Sequence, residues 1–147
     1  MHYSVTVEIE LPRERVIALL NNPDNMPRWQ PSLLSFKHLD GEAGQVGATS
    51  ELIYKMGKRD IVMIETITER NLPQNFSGTY ETKGIWNQVA NHFAEHEGKT
   101  IWTMNTVFKC SGFLRLMAFL MPGMFKKQTT TDMLRFKLFA ENLSAND

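Results

Sequence analysis

The chain has 147 residues, of which 42% are hydrophobic and 22% charged, and its 16 Lys and Arg balance 16 Asp and Glu. A neutral chain without a basic stripe does not favour nucleic-acid binding, and the composition excludes both a disordered and a membrane-embedded chain. Nine Met, nine Phe and three Trp supply many bulky, adaptable apolar side chains. Cys110 is the only cysteine, which excludes internal disulfides and multi-cysteine metal sites.

The N-terminal segment predicts a strand followed by a helix. Residues 3–9 alternate apolar and polar side chains, which is typical of a strand with one buried face. This charged, alternating start is unlike a secretory signal, so we expect a cytoplasmic protein. Pro12 suits the first turn of a helix, and residues 21–23 end it. The prolines up to Pro31 then allow only a turn or a short helix around Trp29.

The middle of the chain predicts six strands separated by short breaks. The breaks contain Gly, Asn or Pro, and their shortness indicates hairpins and therefore an antiparallel meander. The predicted strands cover residues 33–40, 48–56, 59–69, 75–82, 85–96 and 100–110. Together with the N-terminal strand they make a seven-stranded sheet.

After the last strand the sequence becomes helical. Residues 113–125 contain one charged residue, Arg115, and a Pro-Gly pair at 122–123 interrupts the helical pattern. Thirteen residues are too few to cross a bilayer. Two alternatives remain open. The segment is buried in the protein, or residues 112–127 form a lid whose apolar face docks transiently on a membrane while the two lysines at its end meet anionic head groups.

This order of elements predicts an α+β fold, because a seven-stranded sheet buries a long C-terminal helix only by curling around it. The bulkier face of the last strand is the better candidate for the interior and consists of Trp102, Met104, Thr106 and Phe108. Strand 59–69 is ambiguous because both of its faces are apolar. We favour the face with Met63, Glu65 and Ile67 as the inward one.

Five short segments carry a resemblance to a known family. They are Leu11-Pro12 with Val16, Asn22 to Trp29, Gly44 to Gly47, Ile67 to Glu69 with Pro73, and Gly98 to Trp102. In these the chain resembles the START-like (SRPBCC) superfamily of the polyketide cyclase/dehydrase and lipid transport type. The resemblance covers nearly the whole chain and implies a single ligand-binding domain over residues 1–147 with the helix-grip fold. It also implies a hydrophobic cavity between sheet and C-terminal helix, a lipid, polyketide, sterol or similar ligand, and no obligatory cofactor or metal.

Aromatic and thioether side chains suit the wall of such a cavity because they adapt to an apolar ligand. The residues predicted to bind the ligand are Tyr54, Met56, Met63, Tyr80, Trp86, Trp102, Met104, Met117, Leu120, Met121 and Met124. A solid core filled by the same side chains is the alternative.

A few polar residues are candidates for chemistry. Glu65, if inward, would have a raised pKa and could act as an acid or base, whereas outward it would be solvated. His38 could line the cavity mouth or be solvated, and Arg115 could bind a carboxylate or phosphate or reach water. His92 and His96 would lie about 13 Å apart along a strand, too far to share one metal. Three asparagines are expected at the surface: Asn87, Asn91 and Asn105.

The sequence therefore predicts a protein that binds an apolar or amphipathic small molecule. Motifs for acyl-enzyme, nucleotide or dinucleotide chemistry do not occur. The alternative is an enzyme of the cyclase, dehydratase or hydrolase kind, in which the cavity holds a reactive chain and Glu65, His38 or Arg115 moves protons or binds charge.

Overall fold

The computed structural model describes residues 1–145, and residues 146–147 of the predicted domain lie outside the described residues. The strands are β1 His2–Ile9, β2 Leu33–Asp40, β3 Thr49–Met56, β4 Arg59–Asn71, β5 Asn75–Thr82, β6 Ile85–His96 and β7 Lys99–Cys110. The helices are α1 Arg13–Leu20, α2 Met26–Trp29, α3 Gly112–Leu120 and α4 Met124–Ala145, with a 3₁₀ turn at Pro23–Asn25. These bounds confirm the predicted order of elements to within two residues at the strand ends.

The strands form one antiparallel sheet in the order β1-β7-β6-β5-β4-β3-β2. From β2 to β7, strands that follow each other in the sequence pair as hairpins. Strand β1 pairs with β7 and forms one edge of the sheet. The sheet curves around α4, which confirms the predicted α+β helix-grip fold. In the part of the chain described, no helix combines the length and the apolar character needed to cross a bilayer.

The solid core lies at the C-terminal half of α4. Met133, Phe136 and Ala140 of this helix are fully buried against the inner face of β1 and against α1 and α2. An aromatic cluster is at its centre, where Trp102 meets Trp29 and Phe136 edge to face. The apolar alternation of β1 and the aromatic residues of α2 and β7 thus fix one end of the helix.

Helix α3 is exposed, which contradicts burial for this part of segment 112–127, whereas Met124 and Phe125 of α4 are partly buried. None of the α3 residues is buried, and the side chains of Phe113 and Phe119 are 72% and 82% exposed. The Ser111 N–H, just before the helix, donates to the Gly84 carbonyl at 2.9 Å and ties the helix to the β5–β6 hairpin. The Pro-Gly pair at 122–123 ends the helical run and separates α3 from α4, so that α3 does not continue the helix that the sheet encloses.

Candidate functional site

A cavity of about 1000 Å³ lies between the inner face of the sheet and the N-terminal half of α4. Residues of α2, of strands β2 to β7 and of α4 line it. The core at the other half of α4 closes it at the β1 side, since Trp29 and Trp102 belong both to that core and to the cavity wall. Side chains pack solidly around the C-terminal half of α4, whereas the structure leaves this space beside the N-terminal half.

Most of the residues predicted to face a ligand line this cavity. They are Tyr54, Met56, Met63, Tyr80, Trp102, Met104 and Met124. The whole predicted inner face of β7 lines it, and so do Met63, Glu65 and Ile67 of the ambiguous strand β4. Their role in binding stays a prediction.

Trp86 was placed wrongly, because it lies on the other face of β6. Ile85, Asn87 and Val89 line the cavity, so the period of two turns Trp86 outward. There its ring lies 5.0 Å from Nζ of Lys109, which belongs to the next strand. Residue size suggested an inward position that the alternation of the strand does not allow.

Met117, Leu120 and Met121 were also placed wrongly, since none of them lines the cavity. Met117 and Leu120 belong to α3, and Met121 follows that helix directly. Leu120 and Met121 are half exposed or more. Met121 instead borders a shallow surface depression together with Gly123 and residues at the start of α4.

The three polar candidates are separated. Glu65 and His38 line the cavity, whereas Arg115 lies on α3 outside it. His38 remains exposed at the edge strand β2, with its Nε2 2.7 Å from the Gly41 carbonyl oxygen. They therefore do not form one catalytic cluster.

Glu65 faces the interior from the middle of β4. Burial raises the pKa of its carboxyl, and a hydrogen bond with the Tyr80 hydroxyl acts against this rise. Burial, followed by the nearby Glu65 charge, raises the pKa of Tyr80 as well. A carboxyl group in these surroundings is suited to hold a proton and donate it to an oxygen atom of a ligand.

Sequence reasoning missed Asn87 and Asn91, which line the cavity and are not at the surface. Asn91 accepts a 2.9 Å hydrogen bond from Nε1 of Trp102. The Oδ1 atom of Asn87 is buried and has no hydrogen-bond partner. Both asparagines share one face of β6 with Ile85, Val89 and Phe93, and this period of two was the signal in the sequence that could have placed them inside. Asn105 does lie on the outer face, where it accepts a hydrogen bond from Ser4.

The raised pKa of Glu65 predicts a specific pH dependence of stability. Between the unfolded-state pKa of 4.5 and the raised folded-state value, the folded protein holds a proton that the unfolded chain has lost. The free energy of unfolding therefore falls as pH rises through this range, by about 1.4 kcal/mol for each pKa unit that separates the two states.

We expect Glu65→Gln to remove this loss, so that the variant gains stability relative to the parent as pH rises from 4.5 to 8. Urea denaturation at a series of pH values measures it. Glu69→Gln, at an exposed position of the same strand, is the control and should follow the parent. A parent and a Glu65→Gln variant with parallel pH profiles would contradict the interior placement of this carboxyl.

No metal cluster is found within residues 1–145, where no group of three or more His, Cys, Asp or Glu side chains is placed to hold an ion. His92 and His96 lie four residues apart on β6, in the extended geometry that the sequence predicted.

Comparison with known proteins agrees with the fold. A family model described as polyketide cyclase / dehydrase and lipid transport matches residues 1–140. Among solved structures, a conserved protein from Geobacillus kaustophilus is 12% identical with a TM-score of 0.81, covering 97% of this chain and 96% of its own. The Zhui aromatase/cyclase from a Streptomyces species is 12% identical with a TM-score of 0.75, covering 96% and 93%.

A third structure, of a protein from Thermus thermophilus, is 10% identical with a TM-score of 0.77 and full coverage of both chains. At these identities the likeness shows the fold alone. The search of curated proteins gave no match.

Proposed function

Since the chain belongs to the polyketide cyclase / dehydrase and lipid transport family, we propose that it binds a hydrophobic or amphipathic small molecule in the cavity between the sheet and α4. The single observation that carries this proposal is the cavity of about 1000 Å³, which is at the upper end of the range for small-molecule sites. Its walls are predominantly apolar, with polar and charged side chains among them.

The side chains that form the wall support a ligand that is largely apolar. Met63, Met104 and Met124 are flexible thioethers that adjust to an apolar surface, and Phe76 and Phe108 add flat aromatic faces. An apolar molecule that enters such a space is removed from water, which favours binding by about 25 cal/mol for each Å² of apolar surface buried.

A charge introduced on the inner face tests this proposal. We expect Met63→Lys to weaken binding of the neutral apolar probe N-phenyl-1-naphthylamine at least about tenfold, because the bound probe would strip water from an unpaired ammonium group. Fluorescence titration measures the affinity.

The neighbouring substitution Val62→Lys is the matched control. Val62 is 44% exposed and does not line the cavity, so this variant should bind the probe as the parent does. Equal weakening by both variants, or by neither, would show that the probe binds elsewhere.

A second proposed property is transient contact of residues 112–127 with an anionic membrane. Antiparallel pairing places the β3–β4 hairpin, the β5–β6 hairpin and the C-terminal end of β7, which leads into α3, at the same end of the sheet. We call residues 55–60, 81–86 and 109–127 the mouth face, because Met56, Ile85 and Met124 line the cavity there.

Charge distribution supports a membrane as the partner of the mouth face. These segments contain eight Lys and Arg against two acidic residues, although the whole chain is neutral. The exposed apolar side chains of α3 project beside this positive charge. An apolar helix ringed by cations is the arrangement that binds anionic lipid surfaces, and sedimentation with vesicles tests it.

The alternative function is an enzyme of the cyclase, dehydratase or hydrolase kind that uses Glu65. Its inward carboxyl with a raised pKa is the observation that favours acid–base chemistry. Arg115 is outside the cavity and His38 is exposed at the edge strand β2, so a reaction in the interior would depend on Glu65, with Tyr80 as its hydrogen-bond partner. Turnover that survives Glu65→Gln would exclude this role.

A further inference from the structure

A row of polar side chains crosses the apolar inner face of the sheet. Ser50, Glu65, Tyr80 and Asn87 occupy directly opposed positions on β3, β4, β5 and β6, and all four line the cavity. We call these four residues the polar row. His38 of β2 is opposed to Ser50 and Phe108 of β7 to Asn87, so they stand at its two ends.

The positions beside the polar row are mostly apolar. Met63 and Ile67 flank Glu65 along β4, and Ile85 and Val89 flank Asn87 along β6, all of them lining the cavity. Neighbouring strands lie about 4.8 Å apart, so Glu65 and Asn87 are about 10 Å apart across the sheet. Hydrogen-bonding groups thus follow a line perpendicular to the strands.

The polar row contains hydrogen-bonding capacity that the protein does not use. The Oδ1 atom of Asn87 is buried and unpartnered, and a buried acceptor in that state is costly until a donor reaches it. In the part of the chain described, Glu65 forms no ion pair. The raised pKa of its carboxyl favours the protonated form, which donates one hydrogen bond and still accepts another.

The opposite wall differs in this respect. Across the cavity, Nε2 of Gln128 on α4 donates to Oδ1 of Asp132 at 3.0 Å, and Gln30, which follows α2, accepts from the Tyr54 hydroxyl of β3 at 2.9 Å. These polar groups already have partners within the protein. On the α2 side the Nε1 donor of Trp29 is buried without a partner, whereas the sheet side offers an unpartnered acceptor at Asn87.

We propose that the polar row binds a flat or extended apolar molecule that carries hydroxyl groups about 10 Å or more apart along its length, oriented across the strands and lying against the sheet. A hydroxyl group can donate to Asn87 Oδ1, and a second one about 10 Å away can exchange hydrogen bonds with Glu65 and Tyr80. This inference rests on the proposed binding function and adds the ligand chemistry and the residues that select it.

Three probes of one shape test the inference: trans-stilbene, 4-hydroxystilbene and 4,4′-dihydroxystilbene. The parent protein should bind the dihydroxy compound at least about tenfold more tightly than trans-stilbene in calorimetric titrations, since each hydrogen bond to a buried group contributes about 1 kcal/mol or more. Asn87→Leu should lose most of this preference while it keeps its affinity for trans-stilbene. Gln88→Leu, on the exposed face of the same strand, should keep the preference.

The outcomes separate this inference from the proposed function. Equal affinity of the parent for all three probes, or an unchanged preference in Asn87→Leu, would overturn the role of the polar row and leave a binding cavity. Absence of binding for every probe would overturn both. If Asn87→Leu does not fold, Tyr80→Phe removes a single hydroxyl without loss of volume and should reduce the same preference.

Discussion

Replacing Trp102 with alanine is expected to lower the free energy of unfolding by about 3–5 kcal/mol, the range for a large buried aromatic side chain. Its side chain is 1% exposed, and it meets Phe136 at 5.4 Å and Trp29 at 6.0 Å between ring centroids, both edge to face. The change also takes the Nε1 donor from Asn91. Because domains of this size are stable by only about 5–15 kcal/mol, the variant should approach the limit of folding.

Trp86→Ala is the matched control for this loss. The ring of Trp86 lies on the outer face of the sheet over Lys109, an interaction worth about 1 kcal/mol or less where it is exposed. Urea denaturation followed by circular dichroism compares the two variants. Similar destabilisation by both would contradict the assignment of the two tryptophans to opposite faces of the sheet.

The second large effect concerns the mouth face. We expect the double substitution Phe113→Gln and Phe119→Gln to weaken binding to phosphatidylserine-containing vesicles at least about 100-fold, since burial of each phenyl group contributes about 1.5–3 kcal/mol. Glutamine keeps the helix, so that the loss reports the apolar contact. Sedimentation over a range of lipid concentrations measures it.

Leu134→Gln with Leu138→Gln is the control for this experiment. These two leucines are exposed on α4, outside the mouth face, and their replacement should leave vesicle binding unchanged. Binding of the parent that is equal for phosphatidylcholine and phosphatidylserine vesicles would contradict the role of the cations, and recovery of the parent in the supernatant with both would exclude docking.

The fold could be predicted from the sequence because its signals are local. Alternation set the inner faces of β1 and β7, and Gly and Pro breaks set the hairpins, so that the strand bounds agree closely with the structure. It was harder to predict which face of a strand points inward where both faces carry apolar or large residues. Trp86 was assigned inward for its size, although the neighbours of Asn87 and Asn91 on β6 pointed to those two instead.

Two further features depend on the assembled sheet. The exposure of α3 could not be decided from its composition, because a helix this apolar is equally suited to a core. The polar row arises from the register of four strands, and no single strand shows it, because each strand contributes one residue to it. Its members are separated in the sequence by 7 to 15 positions, and only the hairpin register aligns them.

The central claim is that the cavity holds a small molecule, and native mass spectrometry of the full chain, purified from a host that contains lipids, tests it most directly. The account predicts an additional mass that is bound noncovalently and disappears on denaturation, together with a rise in melting temperature when the matching compound is added to the emptied protein. A spectrum of the bare chain alone, with a melting temperature that does not respond to a broad panel of lipids, would contradict it.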